Sequence, residues 1–317
     1  MRYANIPGIS QPAAVICLGT AMMNDAFDIA RAHRILDIYQ DIGGNFIDTA
    51  RVYGLTGDGH SLSERCVGDW LKARGNRERI VLATKGGHYD LATRASRLSP
   101  TDITSDCEAS LRDLGVDFID LYWLHRDDER RPVEEIIDTL NALRRRGLIG
   151  ALGASNWSAA RMAAANEYAA RSGQAGFVAD QPQWSLARQF VCDDDTLVQM
   201  NAELYAFHAR TGMAVVPFSS QAKGFYSKLA QGGLDALSDK ARVRFARDEN
   251  LRKLPVVQEL ARAHGVTVGA IALGYLTGQP FPVFPIVGIT REQYIDDVRA
   301  AGELRLSPEE VSRLAEA

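Results

Sequence analysis

The chain has 317 residues, 46% of them hydrophobic and 24% charged, with a formal net charge of −4. Such a composition is that of a globular protein with enough chain to bury a large core, and the mild acidity excludes a broad electrostatic footprint for nucleic acid. The densest basic run, Arg144 to Arg146, closes a predicted helix where cations suit the dipole, and no apolar run approaches the roughly 18 residues a membrane span needs.

In chain order, short apolar runs alternate with amphipathic patterns of helical period. The runs at 14–18, 45–48, 80–84, 118–124, 150–154, 178–181, 214–217 and 283–287 read as strands. Apolar residues at helical spacing predict a helix over 26–42. A capping box, Ser61-Leu62-Ser63-Glu64, opens the next one. Ser99-Pro100 starts a third that Gly115 stops, following the preference for proline at helix starts and glycine at helix ends. Further helices are expected over 133–146, 159–170, 196–210, 251–264 and 268–277. A second capping box, Thr290-x-x-Gln293, predicts a helix to about 301, and Ser307-Pro308 opens a short final one.

Eight strand–helix units of this kind imply parallel strands with helical crossovers, and eight can close into an α/β fold of the (β/α)8 TIM-barrel type, one domain over 1–317. An open doubly wound sheet would want a glycine-rich turn after its first strand, and Cys17-Leu18-Gly19-Thr20-Ala21-Met22 holds no G-x-G-x-x-G. The Gly57-Asp58-Gly59 cluster follows no strand. The longest irregular stretch, 219–250, comes after the seventh strand, where so long a loop is usually functional. Cys17, Cys66, Cys107 and Cys192 form no C-x-x-C pair and fall in apolar or helical patterns. They are expected as reduced core thiols in a reducing, cytoplasmic setting. Pro7 and Pro12 interrupt the N-terminus, and the apolar stretch Ala13 to Leu18 is too short for a secretion signal.

In such barrels the reactive groups come from the C-terminal ends of strands. Asp48 ends strand two, Tyr53 follows five positions later, Lys85 ends strand three and His125 ends strand four. Singly, each is an ordinary loop residue. Together they deliver an acid, a phenol, an amine and an imidazole to one mouth, and that set suits proton transfer at a carbonyl. A phenol has a pKa near 10, and a neighbouring ammonium stabilises its phenolate. A carboxylate keeps the ammonium charged and in place, and an imidazole can hydrogen-bond the carbonyl oxygen as charge develops there. No side chain supplies a hydride, so a cofactor is required.

The segment Phe46-Ile47-Asp48-Thr49-Ala50-Arg51-Val52-Tyr53-Gly54 resembles the active-site segment of the aldo-keto reductases, and the Lys85 and His125 segments match that family in order and spacing. The resemblance implies catalytic roles for Asp48, Tyr53, Lys85 and His125, with Tyr53 as the general acid. It also implies a nicotinamide cofactor, NADPH ahead of NADH. Gly153-Ala154-Ser155-Asn156-Trp157 resembles the carboxamide-binding turn, with Ser155 and Asn156 as contacts and Gln181 as the third. Phe218 takes the place of the aromatic that stacks on the nicotinamide, and Pro285-Ile286-Val287-Gly288-Ile289-Thr290-Arg291 resembles the adenosine-phosphate segment. Gly19, Thr20, Ser219, Lys223, Gly288, Thr290 and Arg291 complete the implied cofactor set. The implied activity is reduction of a small-molecule aldehyde or ketone, sugar-like carbonyls among them, to an alcohol, with no metal.

Three departures stand out. The family's x-Pro-Asp continuation after the histidine reads Arg126-Asp127-Asp128, its acidic-Asn adenine pair reads Asp297-Val298, and a basic residue that some members use for the 2′-phosphate reads Tyr294. His88, Tyr89, Trp123 and Trp157 are candidates to line the substrate mouth, with core burial the plain alternative for the two tryptophans. Other readings are an aldolase using Lys85 as a Schiff base, a metal-dependent hydrolase, and a cofactor-binding sensor or regulatory subunit with little turnover. The aldolase suffers from Asp48, which would raise the lysine pKa; the hydrolase lacks converging ligands.

Overall fold

The computed structural model describes residues 1–23 and 28–317, Gln293 by its backbone alone. A two-strand antiparallel hairpin comes first, β1 (Tyr3–Ala4) with β2 (Ala13–Ala14). Eight parallel strands follow: β3 (Cys17–Gly19), β4 (Phe46–Asp48), β5 (Val81–Gly86), β6 (Ile119–Leu124), β7 (Ile149–Ser155), β8 (Phe177–Gln181), β9 (Ala214–Val215) and β10 (Ile286–Val287). Each pairs with its predecessor from β4 to β9, and β10 pairs back onto β3. The last joint, β9 to β10, is an isolated bridge between Val215 and Val283 and one bond beyond it, three backbone bonds in all. Val215 N donates to Pro282 O (2.9 Å), Phe284 N to Val215 O (2.8 Å) and Ile286 N to Pro217 O (3.0 Å). Pro217, Pro282 and Pro285 lack an N–H, so a continuous ladder cannot form there.

The expected (β/α)8 barrel is therefore present, with a hairpin added: the first apolar run divides between β2 and β3. Alternation along the strands decides which side chains fill the barrel. Val81, Ala83, Leu121, Trp123, Ala151, Ala179, Ala214 and Phe284 make an inner core. Trp123 dominates it. A Cβ at Gly153 would stand 2.1 Å from its ring, so Gly153 is glycine to make room for the indole. Outward residues such as Leu82 and Leu152 join Ile35, Trp70, Ile103, Leu140 and Met162 from the helices in a larger outer core.

Local sequence explains most helix boundaries. The helix Pro100–Leu114 starts at Ser99, whose side chain accepts from Asp102 N, and stops at Gly115 with φ 62; loss of such an N-cap costs about 1 kcal/mol. Ser307 and Glu310 form the reciprocal capping box of the helix Pro308–Glu316. Ser61 caps the helix Leu62–Arg74, but Glu64 does not reach back to complete the box. Its carboxylate turns inward and accepts from Thr84 Oγ1 at 2.6 Å.

Other expectations need correction. The helix expected from 196 starts at Ala202, capped by Asn201, because Val198 N donates to Asn156 Oδ1 and holds the preceding segment extended. The stretch 219–250 is largely helical, with Phe225–Gly232, Asp239–Phe245 and Asp248–Leu251 burying Phe225, Tyr226 and Phe245 in a satellite core. The helix expected from 251 starts at Leu254. After β10 the chain makes a 3-10 turn at Glu292–Tyr294 with Arg291 as an N-cap lacking any side-chain bond, then the helix Ile295–Glu303, so Thr290 does not cap it. The expected helix start at Ala26 lies outside the described residues, as does the side chain of Gln293; the helix there is Ile29–Asp41, capped by Asp28. Cys17, Cys66 and Cys107 are buried, but Cys192 is exposed on a loop. Among the described residues no helix is long and apolar enough to cross a membrane.

Candidate active site

The C-terminal ends of β4, β5 and β6 bring Asp48, Lys85 and His125 together, and the loop after β4 folds Tyr53 back over them. Inward alternation along β5 sends Lys85 into the barrel, fully buried. Its ammonium donates to Asp48 Oδ2 at 2.5 Å, to Thr49 O at 2.8 Å and to Tyr53 Oη at 3.4 Å. Asp48 is 1% exposed, and its other oxygen accepts from Gln181 Nε2 at 3.2 Å. Burial pushes the Asp48 carboxyl up from its usual range, against Lys85 and Gln181. Burial also works against a charged Lys85, but Asp48 and Tyr53 outweigh it and hold the lysine above its ordinary value. A Schiff-base lysine needs the opposite shift.

His125 packs edge-on to Tyr53, ring centroids 5.8 Å apart. Burial, then Lys85, Arg126 and His88, push its pKa well below the usual histidine value, so the imidazole is neutral. Its Nδ1 is buried with no partner among the described residues, so the tautomer with the proton on Nε2 avoids stranding a buried N–H.

The cofactor candidates continue around the rim. Asn156 takes a left-handed conformation (φ 62), which asparagine tolerates. Its Nδ2 donates to His125 O and to Ser155 Oγ, both at 3.1 Å, and Ser155 Oγ donates to Gln181 O at 2.8 Å. Phe218 is half-buried at the end of the β9 segment. Ser219, Ala222, Lys223 and Gly224 all have positive φ, a strained turn. Lys223 is exposed, yet desolvation by the surrounding chain, then the nearby Arg244, Lys240 and Lys228, lower its pKa. Gly288 and Arg291 are exposed and Thr290 half-buried; Thr290 O accepts from Arg31. Gly19 and Thr20 lie at the end of β3. A Cβ at Gly19 would meet Ile286 Cγ2 at 2.5 Å, and Thr20 is buried with its hydroxyl donating to Asp48 O at 3.2 Å.

Two mouth candidates are elsewhere. Trp157 is buried against Phe177 with ring centroids 5.0 Å apart, and Trp123 fills the barrel below the site; both are core residues. Val298 is 1% exposed in the core, so it does not face the rim.

Sequence reasoning missed the groups that brace the mouth. Asp113 accepts from Arg51 Nη1 (2.9 Å) and from Ser61 N (2.7 Å), and meets His60 Nδ1 at 2.6 Å, tying down the loop that carries Tyr53. Asp194 accepts from Tyr89 Oη (3.0 Å) and Arg126 Nη2 (3.3 Å), joining the loops after β5, β6 and β8. Though burial opposes it, bonds from Thr196 and Tyr89 and the charge of Arg126 hold Asp194 at a pKa of about 2. Arg51, inside the Asp48–Tyr53 segment, and Arg126, directly after His125, were the available signals.

Residues 15–317 match the family model "Aldo/keto reductase family". The aldo-keto reductase ausK of Emericella nidulans is 31% identical over 94% of this chain and 75% of its own length. The aryl-alcohol dehydrogenase [NADP(+)] of Phanerodontia chrysosporium is 28% identical, over 97% of this chain and 83% of its own. Norsolorinic acid reductase stcV of Emericella nidulans is 30% identical, over 93% and 76%. Among solved structures, a thermostable aldo-keto reductase in complex with the inhibitor epalrestat superposes with a TM-score of 0.73 at 24% identity, covering 99% of both chains.

Proposed function

This chain belongs to the aldo/keto reductase family, whose members are NAD(P)H-dependent oxidoreductases, and from that premise we propose that it reduces an aldehyde or ketone with Tyr53 as the proton donor. The observation that carries this reading is the buried Lys85 ammonium, which bridges the Asp48 carboxylate and the Tyr53 hydroxyl at the floor of the mouth. Tyr53 Oη gives its proton to the carbonyl oxygen. Lys85, 3.4 Å away, stabilises the phenolate left behind, and Asp48 keeps the lysine charged and fixed. His125 is neutral, so it contributes a hydrogen bond to the developing alkoxide rather than the proton.

The rim residues fit a nicotinamide cofactor, which supplies the hydride when bound. Ser155, Asn156 and Gln181 offer amide and hydroxyl groups for the carboxamide, and half-buried Phe218 offers a face for the ring. Lys223, crowded by three other cations on a strained turn, suits the phosphates, with backbone N–H groups of such turns adding to the attraction. The exposed Arg291 cation beside Thr290 supports a 2′-phosphate contact and so NADPH, and one relative's name carries NADP(+). Support for a carbonyl on an aromatic body comes from relatives named aryl-alcohol dehydrogenase and norsolorinic acid reductase. Turnover of a panel of aldehydes, ketones and sugars with NADPH and with NADH tests the proposal. No consumption of either cofactor with any carbonyl would overturn it.

A further inference from the structure

Four rings line one side of the mouth in sequence: Tyr53, His125, His88 and Tyr89, with neighbouring centroids 5.8, 4.8 and 4.2 Å apart. The outermost, Tyr89, is clamped. Its hydroxyl donates to Asp194, Arg94 lies 4.0 Å over its ring and Arg126 lies 5.5 Å away on the same ring. That clamp fixes His88 in turn, because His88 Nδ1 is 2.9 Å from Tyr89 O. A carbonyl oxygen only accepts, so Nδ1 must carry the proton and Nε2 must be the bare, accepting nitrogen. Burial, then the charge of Arg126, pushes the His88 pKa down to about 4, so the ring does not protonate near neutral pH and Nε2 stays an acceptor. Among the described residues Nε2 has no hydrogen-bond partner, and the half-buried ring lies against His125, the neighbour of the proton donor.

We infer that His88 is a specificity-determining residue that reads a hydroxyl group on the substrate, carried about one ring away from the carbonyl being reduced. The inference rests on the carbonyl-reductase reading and adds a substrate class, hydroxylated aryl aldehydes and ketones. A fixed acceptor recognises a donor. A hydroxyl satisfies it, whereas an ether oxygen at the same position brings a second acceptor and leaves both unpaired, and loss of a matched hydrogen bond at a built site is what discriminates such analogues. His125 cannot replace it, since its outward nitrogen is assigned to the carbonyl oxygen.

The test compares 3-hydroxybenzaldehyde, 3-methoxybenzaldehyde, 3-methylbenzaldehyde and benzaldehyde by kcat/KM, each with saturating NADPH or NADH. The expected result is a preference for the hydroxy over the methoxy compound of about tenfold, carried mainly in KM, as one hydrogen bond supplies. In His88→Leu the ratio falls to near one whatever the absolute activity becomes; in His88→Gln, which keeps an acceptor, part of the preference returns. A ratio unchanged in His88→Leu would show that size alone sets it and would overturn the inference while leaving the reductase reading intact. Equal kcat/KM for the hydroxy and methyl compounds in the wild type would overturn it too. Turnover of none of the four would remove the reductase reading for aryl aldehydes and the inference with it.

Discussion

The two sides of the barrel mouth are built to different tolerances. On the β4–β6 side, Asp48, Lys85 and His125 stand at strand ends, almost wholly buried, the first two fixed by bonds as short as 2.5 Å and His125 by ring packing. On the β9–β10 side, Phe218 sits in an isolated bridge with Gln183, and Ser219, Lys223, Gly288 and Arg291 lie outside the strands, several of them exposed or in strained conformations. The contrast matches what the proposed function asks of each side. Proton transfer fails if donor and acceptor drift by an ångström, so its groups belong on strands. Attraction of a phosphate falls off slowly with distance, so cations on loops serve it well.

The sharpest way to break this contrast is to unpair the buried lysine. Asp48→Ala should lower the free energy of unfolding by about 3–5 kcal/mol, the cost of a stranded buried charge, read by urea denaturation. A loss near zero would mean that Lys85 finds water or another partner and that the catalytic side is no tighter than the other. Glu64 tests the same rigidity through pH. Burial is the main cause that raises its pKa from 4.5 to about 7, with Thr84, Ser110 and Arg51 opposing. The native state therefore keeps the proton that the unfolded chain releases. The stability this gives is complete below about pH 4.5 and is lost as pH rises through about 7. Glu64→Gln should match the wild type at pH 4.5 and exceed it at pH 8, by on the order of 3 kcal/mol at 1.36 kcal/mol per pH unit. Parallel stability curves would refute the inward carboxyl.

Tyr53→Phe should lower carbonyl reduction at least about a hundredfold, the scale of a lost general acid, while cofactor affinity by fluorescence titration stays near the wild-type value. Near-normal turnover would remove Tyr53 from its role. On the looser side the expected effects are smaller. Arg291→Ala should weaken NADPH binding about tenfold, or about 1.4 kcal/mol, and leave NADH nearly untouched; equal losses would make Arg291 a loop support. Phe218→Ala should weaken both cofactors by about 0.5–1.5 kcal/mol from lost stacking, measured by the same titration, and no change would place the nicotinamide elsewhere.

What the sequence made legible follows the same division. Strand-end spacing put Asp48, Lys85 and His125 on one mouth because a period of two and a parallel barrel leave little freedom. Glu64 was misread because the capping-box pattern does not reveal that Thr84, on a neighbouring strand, competes for its carboxylate. The helix at 202 started late because Asn156, some 42 residues earlier in the chain, holds Val198. Cys192 was placed inside by a local apolar pattern that the loop it sits in does not bury. The Glu64 and Val198 misses turn on partners distant in sequence, to which periodicity is blind.

The proline-flanked joint between β9 and β10 makes the ring a bracelet with a clasp rather than a hoop. Elsewhere strands share ladders; at the clasp three backbone bonds, two of them forming the Val215–Val283 bridge, do the fastening. Amides there, Val215, Phe284 and Ile286, should exchange their hydrogens with solvent ahead of those in the middle of β6, because less must come apart to release them. Phe218 lies immediately beyond that clasp. On the proposed cofactor reading, a clasp that opens would slacken the chain leading to Phe218 while the Lys85–Asp48 pair, carried by strands joined through ladders, keeps its place.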